Sequence, residues 1–165
     1  MNRENTCCFS GYRPEKLPWG TNEDDALCLA LKEKLTDTLR RVYFSDIRHF
    51  ICGMARGCDT YFCEAAIRLR EDYPCVTIEA AIPCEGQSDG WRDEDRERYD
   101  RLVVQCDYRT YVSLEYTKDC MKRRNRYMVK NSSVLIAVFD GKIGGTMYTR
   151  NYAARRGIQI IEITP

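Results

Sequence analysis

The chain has 165 residues, 44% of them apolar and 31% charged, and its 26 Lys and Arg nearly cancel 25 Asp and Glu to leave a formal charge of +1. These values predict one soluble domain with a single core, and they exclude a disordered chain or a surface basic enough to draw nucleic acid or membrane by net charge alone. No apolar run approaches the roughly 18 residues that span a bilayer, and Met1-Asn2-Arg3-Glu4-Asn5 lacks a signal-peptide core, so the expected setting is the cytoplasm with no membrane partner.

Strand-like and helix-like segments alternate along the chain. Residues 6–10 form a short apolar strand that ends at Gly11, and a Pro-containing loop follows through Gly20. Asn22 is expected to cap a helix with Ala26, Leu27, Ala30, Leu31, Leu35 and Leu39 on one apolar face. A second strand over 47–52 runs into the turn Gly53-Met54-Ala55-Arg56-Gly57-Cys58-Asp59, and the next helix carries Phe62, Ala65, Ala66, Leu69 and Tyr73. A third strand spans 76–82. Beyond it a charged stretch is expected to be a mobile solvated loop around Asp89, Asp93, Glu94 and Asp95, giving way to a helix that uses Tyr99, Leu102, Val103 and Cys106. A strand over 107–112 and a helix over 118–130 lead to the most apolar strand, 134–139. A second glycine turn (Asp140-Gly141-Lys142-Ile143-Gly144-Gly145-Thr146), a helix to Arg156 stopped by Gly157, and a strand over 158–163 complete the pattern.

This alternation predicts a single α/β domain over 1–165, Rossmann-like and doubly wound, with a mainly parallel sheet and helices on both faces. Such sheets bind ligands beyond the carboxyl ends of their strands, where strand order reverses. Ten cysteines with no CxxC pair and a single histidine, His49, argue against a zinc site. Cys7, Cys8, Cys52, Cys75 and Cys106 fall in apolar runs and read as small buried hydrophobes, with no metal expected.

The two glycine turns carry the functional signal. Strand, glycine turn and helix together point unpaired backbone N–H groups at an anion, and the helix dipole favours that anion further. In the first turn Arg56 is placed to clamp phosphate oxygens, while Asp59 suits a helix cap or a ribose hydroxyl; an ordinary tight turn explains the same residues. The second turn matches neither the dinucleotide G-x-G-x-x-G pattern nor a Walker loop, but Gly144-Gly145-Thr146 sets two glycines and a hydroxyl at a helix start. In the run 123–126, Arg123 and Arg126 read as solvated, and Arg124 and Asn125 point about 100° apart, so at most part of the run faces a site. Trp91 is expected to pack on the domain, with stacking on a base as the alternative. His49 sits away from the ligand edge, which leaves Glu64, Asp59 and Asp140 as candidate catalytic carboxylates without a paired acid and base among them.

Ser10-Gly11-Tyr12-Arg13-Pro14, the turn 53–59, the Pro83, Gln87 and Trp91 loop with Tyr99 and Asp107 beyond, and Asn125 with Gly144-Gly145-Thr146 resemble the YpsA family over nearly the whole chain. That family belongs to the SLOG superfamily of Rossmann-like proteins, which includes the LOG phosphoribohydrolases and the single-strand-binding DNA-processing protein A. The resemblance implies ligand contacts at Ser10, Gly11, Arg13, Gly53, Met54, Ala55, Arg56, Gly57, Asp59, Asn125, Gly144, Gly145 and Thr146, and Arg124 looks like the LOG arginine on the helix before the glycine motif. The LOG motif ends in a catalytic glutamate, and Thr149 stands at that position here. The expected function is therefore binding of a nucleotide or nucleotide-sugar as a sensor or regulator. N-glycosidase action on a nucleoside monophosphate or NAD-like substrate and single-stranded nucleic-acid binding are the alternatives. Homodimers are the commonest assembly, and a homodimer is a further expectation.

Overall fold

The computed structural model describes residues 2–165. Six strands form one all-parallel sheet: β1 (Thr6–Ser10), β2 (His49–Cys52), β3 (Thr77–Ile82), β4 (Tyr108–Tyr111), β5 (Val134–Val138) and β6 (Gln159–Ile163), in the order β4-β3-β2-β1-β5-β6. Helices α1 (Ala26–Phe44), α2 (Cys58–Asp72), α3 (Asp93–Gln105), α4 (Cys120–Lys130) and α5 (Gly145–Arg155) make the crossovers. The chain winds outward from β1 to β4, then returns through α4 to lay β5 on the other side of β1. Strand order therefore reverses between β1 and β5, with Ser10 level with Ala137 at the carboxyl edge.

Strand periodicity sorts the core into two layers. Cys7, Phe9, Phe50, Cys52, Ile78, Ala80, Ile136 and Val138 face α1, α2 and α3, where Phe9 stacks on Phe62 with ring centroids 4.5 Å apart. The intervening Cys8, Ile51, Ala81, Leu135 and Ala137 meet Met128 and Val129 of α4 and Ala153 of α5. Both faces of the inner strands are covered, which is why β1, β2, β3 and β5 read as near-continuous apolar runs, whereas the edge strands β4 and β6 are exposed or half-buried along most of their length.

Local details differ from expectation in four places. Helix α1 begins at Ala26 and is capped by Asp25, whose carboxylate accepts from the Leu27 amide at 2.8 Å, rather than by Asn22. Its buried stripe is Cys28, Leu31, Leu35, Thr38, Leu39 and Val42, so Ala26, Leu27 and Ala30 fall off the core-facing side. Asp93, Glu94 and Asp95 are the first turn of α3, where three carboxylates complement the positive end of the helix dipole, rather than a solvated loop. Cys75 is exposed, its sulfur 3.4 Å from the Tyr43 hydroxyl, whereas the other nine cysteines are buried free thiols. Trp91 packs edge-on against Tyr99 with centroids 5.5 Å apart. Among the described residues no helix is long and apolar enough to cross a membrane, and no cluster of His, Cys, Asp and Glu has the makings of a metal site.

One polar cluster sits within the sheet. Glu79 of β3 accepts from Tyr127 at 2.6 Å and Thr110 at 2.7 Å, and pairs with His49 Nε2 at 2.9 Å, while His49 Nδ1 meets Thr77 at 2.8 Å. Burial works to raise the Glu79 pKa, but hydrogen bonds from His49, Tyr127 and Thr110 outweigh it and hold the carboxyl below its usual range. A carboxyl with a lowered folded pKa contributes its full stabilisation above the unfolded value and loses it as pH falls. Glu79→Gln is expected to cost about 1–3 kcal/mol at neutral pH. Denaturant titrations across pH should show that difference shrinking as pH falls below about 4.5, the ordinary value for the group.

Candidate functional site

The reversal of strand order opens a cavity of about 300 Å³ at the carboxyl end of β1. Its walls come from four regions. The end of β1 and the loop after it supply Phe9, Ser10, Gly11, Tyr12, Arg13, Glu15 and Lys16; the turn after β2 and the start of α2 supply Ala55 and Asp59; α4 supplies Met121, Arg124, Asn125 and Met128; and the start of α5 supplies Gly145 and Thr146.

At the centre of this arrangement is Arg124, 4% exposed in the middle of α4. Its Nη1 donates to the carbonyls of Gly53 and Ala81, the latter at 3.4 Å, and its Nε donates to Asn125 Oδ1 at 2.8 Å. Burial lowers its pKa, and the nearby Asp59 carboxylate opposes that shift. Asp59 is itself buried, with Oδ2 accepting from the Ala55 amide at 3.0 Å. Burial raises the Asp59 pKa while Arg124 pulls it back. Gly53 lies between the two: a Cβ there would run into the Arg124 guanidinium and come within 2.9 Å of Asp59 Oδ2. Glycine at 53 thus makes room for a buried ionic neighbourhood instead of touching the cavity. Gln87 adds a second donor to the Gly53 carbonyl at 2.9 Å and is itself held by Tyr99 at 3.3 Å.

The second glycine loop is organised by Tyr12. Its hydroxyl donates to Asp140 Oδ1 at 2.8 Å and accepts from the amides of Asp140 and Lys142 at 3.2 and 3.1 Å. The Tyr12 bond is the main cause that holds the Asp140 carboxyl below the usual range. Lys16 donates to the Ile143 carbonyl at 2.6 Å, and Lys142 donates to the Lys16 carbonyl at 3.0 Å, so the loops after β1 and β5 are tied across the switch point. Helix α5 then begins at Gly145 without a side-chain cap, and its first N–H groups have no intrahelical acceptors.

Of the residues singled out from sequence, Ser10, Gly11, Arg13, Ala55, Asp59, Arg124, Asn125, Gly145 and Thr146 line the cavity. Arg124 and Asn125 both reach it, because they sit on one stripe with Met121 and Met128, three, four and seven residues apart. Gly53, Met54, Gly57 and Gly144 stand behind the wall. Met54 holds φ +60° and Gly57 φ +83° to turn the chain, and Gly57 leaves no room for a Cβ, which would meet the Tyr12 carbonyl at 2.7 Å. Arg56 is turned outward into an ion pair with Glu15. Glu64 does not line the cavity: Arg98 binds both its oxygens, at 2.9 and 3.0 Å, and also holds Glu23. Asp140 is taken up by Tyr12 outside the cavity wall. Thr149, at the position of the LOG glutamate, is fully buried and donates to the Gly145 carbonyl at 2.9 Å. Tyr12, Glu15, Lys16, Met121 and Met128 were not singled out from sequence as ligand-contacting. The methionines had a readable signal in their helical spacing around Arg124, whereas nothing local marks Lys16.

Fold and cavity together define a Rossmann-like α/β protein with a polar pocket at its topological switch point. The profile of the YspA SLOG family matches residues 7–162, and the chain belongs to that family. Its relatives include a UPF0398 protein of Bacillus velezensis, 24% identical over 94% of this chain and 88% of that protein. The UPF0398 protein YpsA of Bacillus subtilis is 23% identical over 90% and 83%. Among solved structures, DNA processing protein A of Streptococcus pneumoniae superposes with a TM-score of 0.65 at 15% identity, covering 98% of this chain and 51% of that one. DNA processing protein A of Helicobacter pylori, a structure described for its single-stranded DNA binding mode, gives 0.64 at 14%, covering 99% and 66%. This chain thus spans only about half to two thirds of those proteins, and the likeness is one of fold.

Tyr12→Phe keeps the ring and removes three hydrogen bonds to the 140–142 loop. It is expected to lower stability by about 1–3 kcal/mol, read as a fall in melting temperature, with amide exchange quickened at Asp140 and Lys142. Unchanged exchange there would mean that the loop holds itself.

Proposed function

We propose that this protein binds a nucleotide or a nucleotide-derived phosphate ligand in the cavity beside β1 and acts as a sensor or regulator. The supporting observation is the convergence of Arg13, Lys16 and Arg124 with the uncapped start of α5 around one cavity. A phosphate at Gly145 and Thr146 would meet free backbone N–H groups and the positive end of the helix dipole. Arg13 is exposed at the rim, and among the described residues its guanidinium has no partner, so it is available to an incoming anion. Phe9, Met121 and Met128 supply an apolar wall for the less polar part of such a ligand.

Asp59 favours a second reading, N-glycosidic cleavage of a nucleoside monophosphate, because it is the buried carboxyl in the cavity and its pKa is raised. Release of free base from AMP, lost in Asp59→Asn, would establish turnover. The likeness to DNA processing protein A supports single-stranded nucleic acid as another partner class, and phosphate contacts of that kind would weaken steeply with salt.

The direct test is thermal stability against AMP, ADP-ribose, NAD and cyclic nucleotides. A ligand at 100 times its Kd adds about 2.7 kcal/mol, and Arg13→Ala is expected to remove about 1.5–3 kcal/mol of the binding free energy while leaving the unliganded melting temperature unchanged. No stabilisation by any nucleotide would overturn the proposal.

A further inference from the structure

The loop after β1 puts a carboxylate, Glu15, into the wall of a cavity whose rim otherwise carries the cations Arg13 and Lys16. Its partner is Arg56, whose Nη2 pairs with Glu15 Oε1 and whose guanidinium carbon stands 6.0 Å from the centroid of the Trp91 ring. The two residues meet on a packed seam. A Cβ on Gly57 would lie 3.0 Å from Pro14 Cδ and 3.1 Å from Arg13 Cα, so the turn bearing Arg56 rides directly against the loop bearing Arg13 and Glu15. Ala55, the preceding residue, is itself part of the cavity wall.

We propose that Glu15 is an intramolecular stand-in for the ligand's phosphate: it occupies Arg56 in the empty protein, and a phosphate group entering the cavity takes Arg56 over. The proposal rests on the anion site described above and adds the residue that completes it. The chemistry of the exchange is matched, since a guanidinium fork donates to carboxylate and phosphate oxygens alike. The exchange is also easy. The side chains are 27% and 60% exposed, and solvent-reached ion pairs of this kind are held weakly. The backbone amide of Glu15 and the Arg56 guanidinium hold its carboxyl below the usual range. Before binding it therefore cancels one cation of the site, and after binding its bare charge lies beside the phosphate. Both effects make Glu15 a brake on affinity.

The test is isothermal titration of AMP, with adenosine as the phosphate-free control, into the wild type, Glu15→Gln, and Glu15→Gln with Arg56→Ala. Glu15 and Arg56 lie at the surface, and circular dichroism confirms the fold of each variant. Glu15→Gln is expected to bind AMP about tenfold more tightly than the wild type, with no gain for adenosine. Adding Arg56→Ala in that background, where no carboxylate is left exposed by the change, is expected to reverse the gain. Equal AMP affinity in wild type and Glu15→Gln, or no loss on adding Arg56→Ala, overturns the exchange while leaving the phosphate site standing. AMP binding to none of the three removes the site and the exchange together.

Discussion

The cavity depends on one buried arginine. Arg124 comes from α4, on one face of the sheet, and its guanidinium ends against the carbonyls of Gly53 and Ala81 at the carboxyl ends of β2 and β3. A charged group removed from water needs compensation on every side. Here the compensation is carbonyl oxygen, the Asn125 amide oxygen and the field of Asp59. Those partners fix the turn after β2, because Gly53 must lack a side chain and Asp59 must sit where α2 starts. They also fix the orientation of α4, and with it Met121, Asn125 and Met128. One side chain thus couples a helix, two strand ends and a turn that are far apart in sequence.

The opposite wall is built by a different device. Tyr12 has no charge, but its hydroxyl collects two backbone amides and a carboxylate from the loop after β5. That loop has no secondary structure of its own to satisfy its amides, and a single phenol does it from the neighbouring strand end. The N-terminus of α5 is left open as a result: the loop is held by Tyr12 and Lys16 on its strand side, so no residue has to fold back and cap the helix. An uncapped helix start facing a cavity is a standing demand for an acceptor, met by water or by a ligand.

The architecture was legible because both faces of the inner strands are buried, so β1, β2, β3 and β5 announce themselves as apolar runs and the helices by their spacing. Residues whose roles follow from backbone geometry were legible too: Gly145 and Thr146 at a helix start, Ser10 and Gly11 at a strand end. Side-chain direction was not. Arg56 sits in the most suggestive motif of the chain, yet its orientation is decided by Glu15, a residue forty-one positions earlier in a different loop. Glu64 has the right chemistry but is claimed by Arg98, which comes from α3. Lys16 becomes a wall residue only because the β1 and β5 loops meet across the switch point. Such pairings are fixed by topology, and no local pattern encodes them. The cap of α1 is Asp25, three residues beyond the expected Asn22, and the first turn of the helix is exposed, so Leu31, Leu35 and Leu39 of the expected face are buried while Ala26, Leu27 and Ala30 are not.

The electrostatics of the cavity bear on whether binding leads to chemistry. Glycosidic cleavage builds positive charge on the sugar and is helped by an ionised carboxylate beside it. Asp59 is the buried carboxyl on hand, but burial raises its pKa and weakens it as an anion, while the Arg124 guanidinium stands close enough to disfavour a developing cation. Thr149, which occupies the motif position of a catalytic glutamate, spends its hydroxyl on the carbonyl four residues back and faces the helix interior. Every strong charge in the cavity wall apart from Asp59 and Glu15 is positive, and Glu15 is paired with Arg56. A site arranged in this way stabilises negative charge that is already present. For the proposed phosphate ligand, that balance argues for binding without cleavage of the neighbouring bond.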